Sequence, residues 1–208
     1  MLEIVFPSTL NPMAWDTEGT KRKILDAALA EFTEHGPSGT TVERIAALAG
    51  VNKERIYHYF GNRDALFGHV VRAESRRISD NVLFDPDADD PMGDYAGRIF
   101  DYHLSRPQMV RLMLWDSLSS GGGSPEGFTQ ETYDAKADRF ARGQASGTVS
   151  DALAPGELVF SIMALNAWWF AVPRIAALAT GHGTDAAGIA ARRAAVVQAA
   201  RQLARPEA

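Results

Sequence analysis

Lys53, Arg55, Tyr57 and His58 crowd two cations, a phenol and an imidazole into one short stretch, Lys53-Glu54-Arg55-Ile56-Tyr57-His58-Tyr59-Phe60. Wound as a helix, that stretch turns Ile56 and Phe60 to one side, four residues apart, while Glu54, Tyr57 and His58 point away and Lys53 and Arg55 flank them. The chemistry on offer is hydrogen bonding and positive charge. A rod with one apolar flank and one donor-rich flank fits a DNA major groove about 12 Å wide and can reach base edges there. On this feature alone an ordinary amphipathic helical hairpin reads the same way.

The residues just upstream supply what would position such a helix. Val42, Ile45, Ala46, Leu48 and Ala49 recur with a helical period, and Gly50 follows as a residue that tolerates positive φ where that helix must stop. Small Ala46 suits a close crossing of the two helices, and Asn52 stands where it can cap the second. An earlier helix is expected from about Thr20 to His35, with Ile24, Ala28 and Phe32 on one stripe beside Leu25 and Leu29, ended by Gly36-Pro37-Ser38-Gly39. Asn62 is expected to cap a fourth helix to about Asn81, with Leu66, Phe67, Val70, Val71 and Ile78 inward.

From Lys21 to Val71 the chain closely resembles the N-terminal domain of the tetracycline-repressor (TetR) family. The resemblance lies in the Ile24-Leu25-Asp26-Ala27-Ala28 pattern, the Gly36 to Thr41 entry, and the run Tyr57-His58-Tyr59-Phe60 followed by a polar loop and Ala65-Leu66-Phe67. It implies an all-α chain of about nine helices: a three-helix helix-turn-helix DNA-binding domain plus a larger helical domain for ligand binding and dimerisation. It implies DNA contacts from Thr40 and Thr41, then Lys53, Arg55, Tyr57 and His58, then Arg63. Threonine hydroxyls and helix N-termini suit phosphate oxygens, Lys53 or Arg55 suits guanine O6 and N7, and Arg63 is a long cation at the footprint's edge. Val42 departs from those members that carry a basic residue at its position, and Glu54 is a carboxylate on a face meant for a polyanion. Glu54 reads best as paired with a cation or solvated.

Beyond this region, Asp85-Pro86-Asp87-Ala88-Asp89-Asp90-Pro91 is an acidic, proline-bounded break; it lacks the glycine and terminal glutamate of a calcium loop. The expected division is an arm at 1–19, the DNA-binding domain at 20–65 and the ligand and dimer domain at 66–208. Later helices are expected at about Gly93–Ser105, Pro107–Ser119, Phe128–Ser146, Pro155–Thr180 and Ala186–Leu203. Gly121-Gly122-Gly123-Ser124-Pro125 reads as a loop without the Lys-Ser/Thr pair of a phosphate cradle. Large apolar and aromatic side chains with a few polar ones concentrate in this half. Phe100, His103, Met113, Trp115, Asn166 and Trp169 are the candidate ligand contacts, with His103 and Asn166 as polar orienters. The last two helices, rich in small residues such as Ala186-Ala187-Gly188 and Ala194-Ala195, are the expected homodimer contact, matching an inverted-repeat operator.

Net charge is −5, yet residues 20–80 hold ten Lys or Arg against eight Asp or Glu, so the basic excess travels with the helix-turn-helix. The absence of cysteine excludes disulfides and thiolate sites and agrees with a reducing cytoplasm. The apolar segment at 158–179 runs only about 15 residues, Ser161 and Asn166 among them, before Pro173, short of the roughly 20 that a bilayer needs. No nucleophile elbow, His-Glu-x-x-His or nucleotide loop occurs, so neither cofactor, metal nor enzymatic activity is expected. The expectation is a dimeric regulator, a repressor released from its operator by a small apolar or aromatic ligand. An activator or co-regulator on the same fold, and an all-α enzyme, are the alternatives.

Overall fold

The computed structural model describes residues 12–119 and 127–206, which form ten helices and no strand among the described residues. They divide into two compact units, one ending at Val70 and the other beginning at Val71. Helix α4 (Arg63–Asn81) runs through that boundary.

The first unit is built on α1 (Pro12–Gly39), whose stripe of Ile24, Ala28 and Phe32 is fully buried. Its last turn is broken at Gly36, where φ 68° and ψ 171° leave the helical region. Only glycine adopts that backbone cheaply, and Pro37 follows with a φ suited to restarting a turn. The helix thus begins earlier than expected: residues 12–19 are helical, which corrects the expectation of an arm over 1–19, and residues 1–11 lie outside those described. Helix α2 (Val42–Ala49) buries Val42, Ile45 and Ala46 and ends on Gly50 in the left-handed region, φ 65° and ψ 36°. The Gly50 N–H there returns to the Ala46 and Ala47 carbonyls. Helix α3 (Lys53–Phe60) follows after three residues, Gly50, Val51 and Asn52. Asn52 holds its N-cap position with extended backbone, but its side chain makes no capping bond. Asn62 does cap: its Oδ1 accepts from the Ala65 N–H at 2.8 Å and starts α4. Phe67 from α4 meets Phe32 edge-on, ring centroids 5.0 Å apart.

The second unit holds the rest of α4 with α5 (Pro91–Ser105), α6 (Gln108–Leu118), α7 (Gln130–Ala145), α8 (Pro155–Ala171), α9 (Pro173–Thr180) and α10 (Ala186–Leu203). Its core is aromatic at the centre: Phe140 stacks on Phe84 at 4.2 Å and takes the edge of Tyr95 at 5.3 Å. Helices α5 and α10 pack together and are fastened by two bidentate or shared pairs, Arg193 to Asp101 at 2.8 Å and Arg201 to Asp90 at 2.6 Å. Gly97 makes room there, since a Cβ would meet the Arg193 guanidinium at 2.7 Å. Glu74 on α4, its side chain 3 % exposed, accepts from Arg106 at 3.0 Å and Arg77 at 2.8 Å.

One expected helix is two. The stretch Pro155–Thr180 breaks at Val172, with φ −129° and ψ 59°, and α9 leaves α8 at an angle of 96°. Pro173 explains the corner: it has no N–H for the ladder, and its ring disfavours helical backbone at the residue before it. No single helix among the described residues is long and apolar enough to cross a membrane. The Gly121–Pro125 loop expected from the sequence lies outside the described residues.

Candidate nucleic-acid interface and effector cavity

Helix α3 is anchored by Ile56, fully buried, and Phe60, which packs edge-on against His69 at 5.4 Å. Burying two such side chains stabilises the helix's seat by about 1.5–3 kcal/mol each. That anchoring leaves Lys53, Glu54, Arg55, Tyr57 and His58 exposed together on the opposite flank. The Lys53 ammonium lies 3.4 Å from Glu43 on α2, and this contact, after the backbone hydrogen bond to Glu43, holds the Glu43 carboxyl below its ordinary range. At the start of α4 the Arg63 guanidinium pairs with Asp64 at 2.9 Å. Both pairs are open to water, so an incoming phosphate competes with them readily.

The two threonines separate. Thr41 is exposed and caps α2, its Oγ1 accepting from the Arg44 N–H at 3.3 Å, which leaves the hydroxyl hydrogen free to donate. Thr40 is 1 % exposed, and its hydroxyl donates to the Glu31 carbonyl at 3.1 Å. Its hydroxyl is therefore spent on joining α2 to α1, which removes it from the exposed face on which the resemblance placed it. Arg44, not singled out from the sequence, lies beside Thr41 with half of its side chain in solvent; it spans to Glu31 at 2.8 Å and the Gly39 carbonyl at 3.3 Å. Val42 is buried, so its apolar type serves the core of α2.

The second unit holds a cavity of about 1430 Å³, open on one side, with wall residues drawn from each of α4 to α10. Three of the six candidate ligand residues line it: His103, Met113 and Trp169. The other three do not. Phe100 is buried against Phe170 at 5.2 Å, Trp115 stands half-buried on α6, and Asn166 is fully buried, its Nδ2 donating to the Ile162 carbonyl of its own helix at 3.0 Å. Their types suited a pocket, but each one's turn of helix faces elsewhere. Burial, helped by the nearby Lys136 charge, lowers the His103 imidazole to about 4, so it is neutral at pH 7. Sequence reasoning missed the α7 wall, Tyr133 and Lys136, whose three-residue spacing puts both on one helical side. Burial raises the Tyr133 phenol and lowers the Lys136 ammonium. A second, smaller cavity of about 470 Å³ shares Lys136 and is lined by Arg72, Arg76 and Arg139 beside Asp80 and Glu131.

Comparison with known proteins matches this geometry. Residues 24–70 fit the bacterial regulatory proteins of the tetR family, and residues 91–202 fit the tetracyclin repressor-like C-terminal domain. The chain is 34 % identical over 192 residues to the HTH-type transcriptional repressor SCO4008 of Streptomyces coelicolor, covering 91 % of this chain and 97 % of that protein. The crystal structure of the regulator SCO4942, also from Streptomyces coelicolor, superposes with a TM-score of 0.76 at 33 % identity, covering 90 % of this chain and 99 % of that one. The fold alone is shared with SmeT, the repressor of a Stenotrophomonas maltophilia multidrug efflux pump, at TM-score 0.59 and 20 % identity, covering 91 % and 92 %. SmeT has also been solved with triclosan. Both family matches together span the helix-turn-helix and the helical unit that follows it, and SCO4008 is matched over nearly its whole length: the chain belongs to the tetracycline-repressor family of transcriptional regulators.

Proposed function

We propose that this regulator is a homodimeric repressor that holds an inverted-repeat operator through two α3 helices and lets go when a small apolar molecule enters the second unit's cavity. The observation that carries the reading is the two-sided character of α3. Ile56 and Phe60 face inward and anchor the helix, while Lys53, Arg55, Tyr57 and His58 stand together on its exposed flank. The DNA contacts assigned are Thr41, Lys53, Arg55, Tyr57, His58 and Arg63, with base reading by Lys53 or Arg55 and phosphate positioning by Thr41 and Arg63. Thr40 acts by holding α2 on α1.

Dimerisation is supported by apolar surface left uncovered on α8 and α9. Phe160 is 73 % exposed, Trp168 62 %, and Ile175 and Leu178 are exposed with them. Three of these, Phe160, Trp168 and Ile175, also line the cavity, so a second copy covering α8 and α10 would close a space that one chain leaves open. Ala187, Ala190, Ala194 and Ala195 on the outer side of α10 would allow close helix approach. A two-fold pair sets its reading helices about 34–36 Å apart, one turn of DNA.

Release is supported by the course of α4, which begins with Arg63 and contributes Ser75 and Ile78 to the cavity wall. A ligand that moves those residues biases the helix that carries Arg63. Loosening the operator a thousandfold requires about 4 kcal/mol of differential affinity between the two states, and DNA must weaken the ligand equally. A ligand that binds both states alike releases nothing. The test is selection of bound duplexes from a random pool followed by native mass measurement. The expected result is an inverted repeat carrying two protomers, bound less well when Tyr57 or Lys53 is replaced by Ala. No enrichment over random duplex at moderate salt would refute it.

A further inference from the structure

Lys136 stands at the junction of the two cavities, lining both. In the larger one it is the only Lys or Arg in the wall, and among the described residues no Asp or Glu faces it there. No carboxylate pairs with its ammonium and no hydrogen-bond acceptor meets it among the described residues; the ammonium lies over the Tyr133 ring, 5.3 Å from its centroid. An unpaired ammonium in a largely apolar wall is costly, and burial already pushes this one toward its neutral form. Nearby, His103 is 6 % exposed, lines the same cavity and has a buried Nδ1 without a partner. A neutral imidazole carries one N–H to give. On the other side of Lys136, the smaller cavity is lined by Arg72, Arg76 and Arg139 beside Asp80 and Glu131. A cationic ligand would meet Lys136 with no carboxylate to offset it, whereas an anion would supply the missing counter-charge.

We infer that the effector is an amphipathic monoanion, an apolar or aromatic acid, whose acid group is held by Lys136 with His103 beside it and whose body lies among Met113, Trp168 and Trp169. This rests on the cavity being the effector site, as proposed above. The ammonium selects the charge, and the aromatic wall accepts many shapes.

A matched probe pair tests it on the full-length protein: 8-anilinonaphthalene-1-sulfonate, an anion, against N-phenyl-1-naphthylamine, the same ring system without the acid. Both are followed by probe emission on titration. The wild-type chain is expected to bind the anion at least about tenfold tighter than the neutral probe. Lys136→Met should erase that preference by weakening the anion alone, and Lys136→Arg should keep it. Met113→Trp, which fills the cavity, should weaken both probes in every background. Circular dichroism melts of each variant exclude unfolding as the cause. If both probes bind, Met113→Trp displaces both, and Lys136→Met leaves their ratio unchanged, the anion assignment falls while the cavity stands. If neither probe binds, or Met113→Trp affects neither, the effector site itself falls and the assignment with it.

Discussion

Replacing Arg63 by Gln, and separately Lys53 by Gln, separates the two jobs assigned to the reading face. Three cations per protomer, Lys53, Arg55 and Arg63, carry that face, and the Glu43 and Asp64 pairings are too exposed to hold Lys53 and Arg63 back from DNA. Each phosphate neutralised adds about −0.9 to the slope of log affinity against log salt. With all three cations of both protomers on phosphates, the slope would be about −5, and losing one cation per protomer would flatten it by about 2. A cation on a guanine edge acts otherwise: its loss costs about 1–3 kcal/mol of discrimination against the wrong base. Arg63→Gln is therefore expected to flatten the slope by about 2 and to weaken cognate and scrambled duplexes equally. Lys53→Gln should narrow the gap between cognate and scrambled DNA. Fluorescence anisotropy with the selected operator and a scrambled duplex, from about 50 to about 200 mM salt, measures both quantities. If neither variant changes slope or discrimination, the exposed flank of α3 and the start of α4 do not meet DNA.

Three further outcomes follow from the packing. Phe140→Ala removes a fully buried ring stacked on Phe84 at 4.2 Å, and chemical denaturation should show a loss of about 3–5 kcal/mol. Glu74→Gln leaves Arg106, half-buried, and Arg77 without their shared carboxylate; with both guanidinium groups partly in water, a loss of about 2 kcal/mol is expected, read as a lower melting temperature. Because His103 is depressed to about 4 from an unfolded value near 6.5, the unfolded chain binds its proton first. Stability from this group is complete above about pH 6.5 and is lost as pH falls toward 4, by about 3 kcal/mol at most. His103→Phe should flatten the melting temperature over that window relative to the wild-type chain, and an unchanged pH profile would show that His103 is not the group responsible.

What the sequence made legible was governed by short-range rules. Gly50 ends α2 because only a left-handed residue closes that turn, Asn62 caps α4, and Ile56 and Phe60 go inward because they share a helical face. Those signals lie within four residues of their effects. The misses came from longer reach. Thr40 turns inward because a carbonyl nine residues earlier on α1 accepts its hydroxyl, and no local pattern announces that. Phe100 and Asn166 have pocket-like types, but the packing of α5 and α8 points them into the core; the cavity wall instead recruits Tyr133 and Lys136 from a helix whose composition reads as surface. The corner at Pro173 was visible as a residue, and the error was to let an apolar run outweigh a missing N–H.

The clasp between α5 and α10 bears on the order in which the molecule can come into being. Arg193 reaches back 92 positions to Asp101, and Arg201 reaches back 111 to Asp90. On a ribosome the whole first unit has been translated once Val70 is made, whereas the Asp90 at the start of α5 waits 111 residues for Arg201 of α10. The head can thus mature during synthesis, while the sensing half must finish its assembly after most of it has been made, its greasy inner wall exposed to chaperones for that interval.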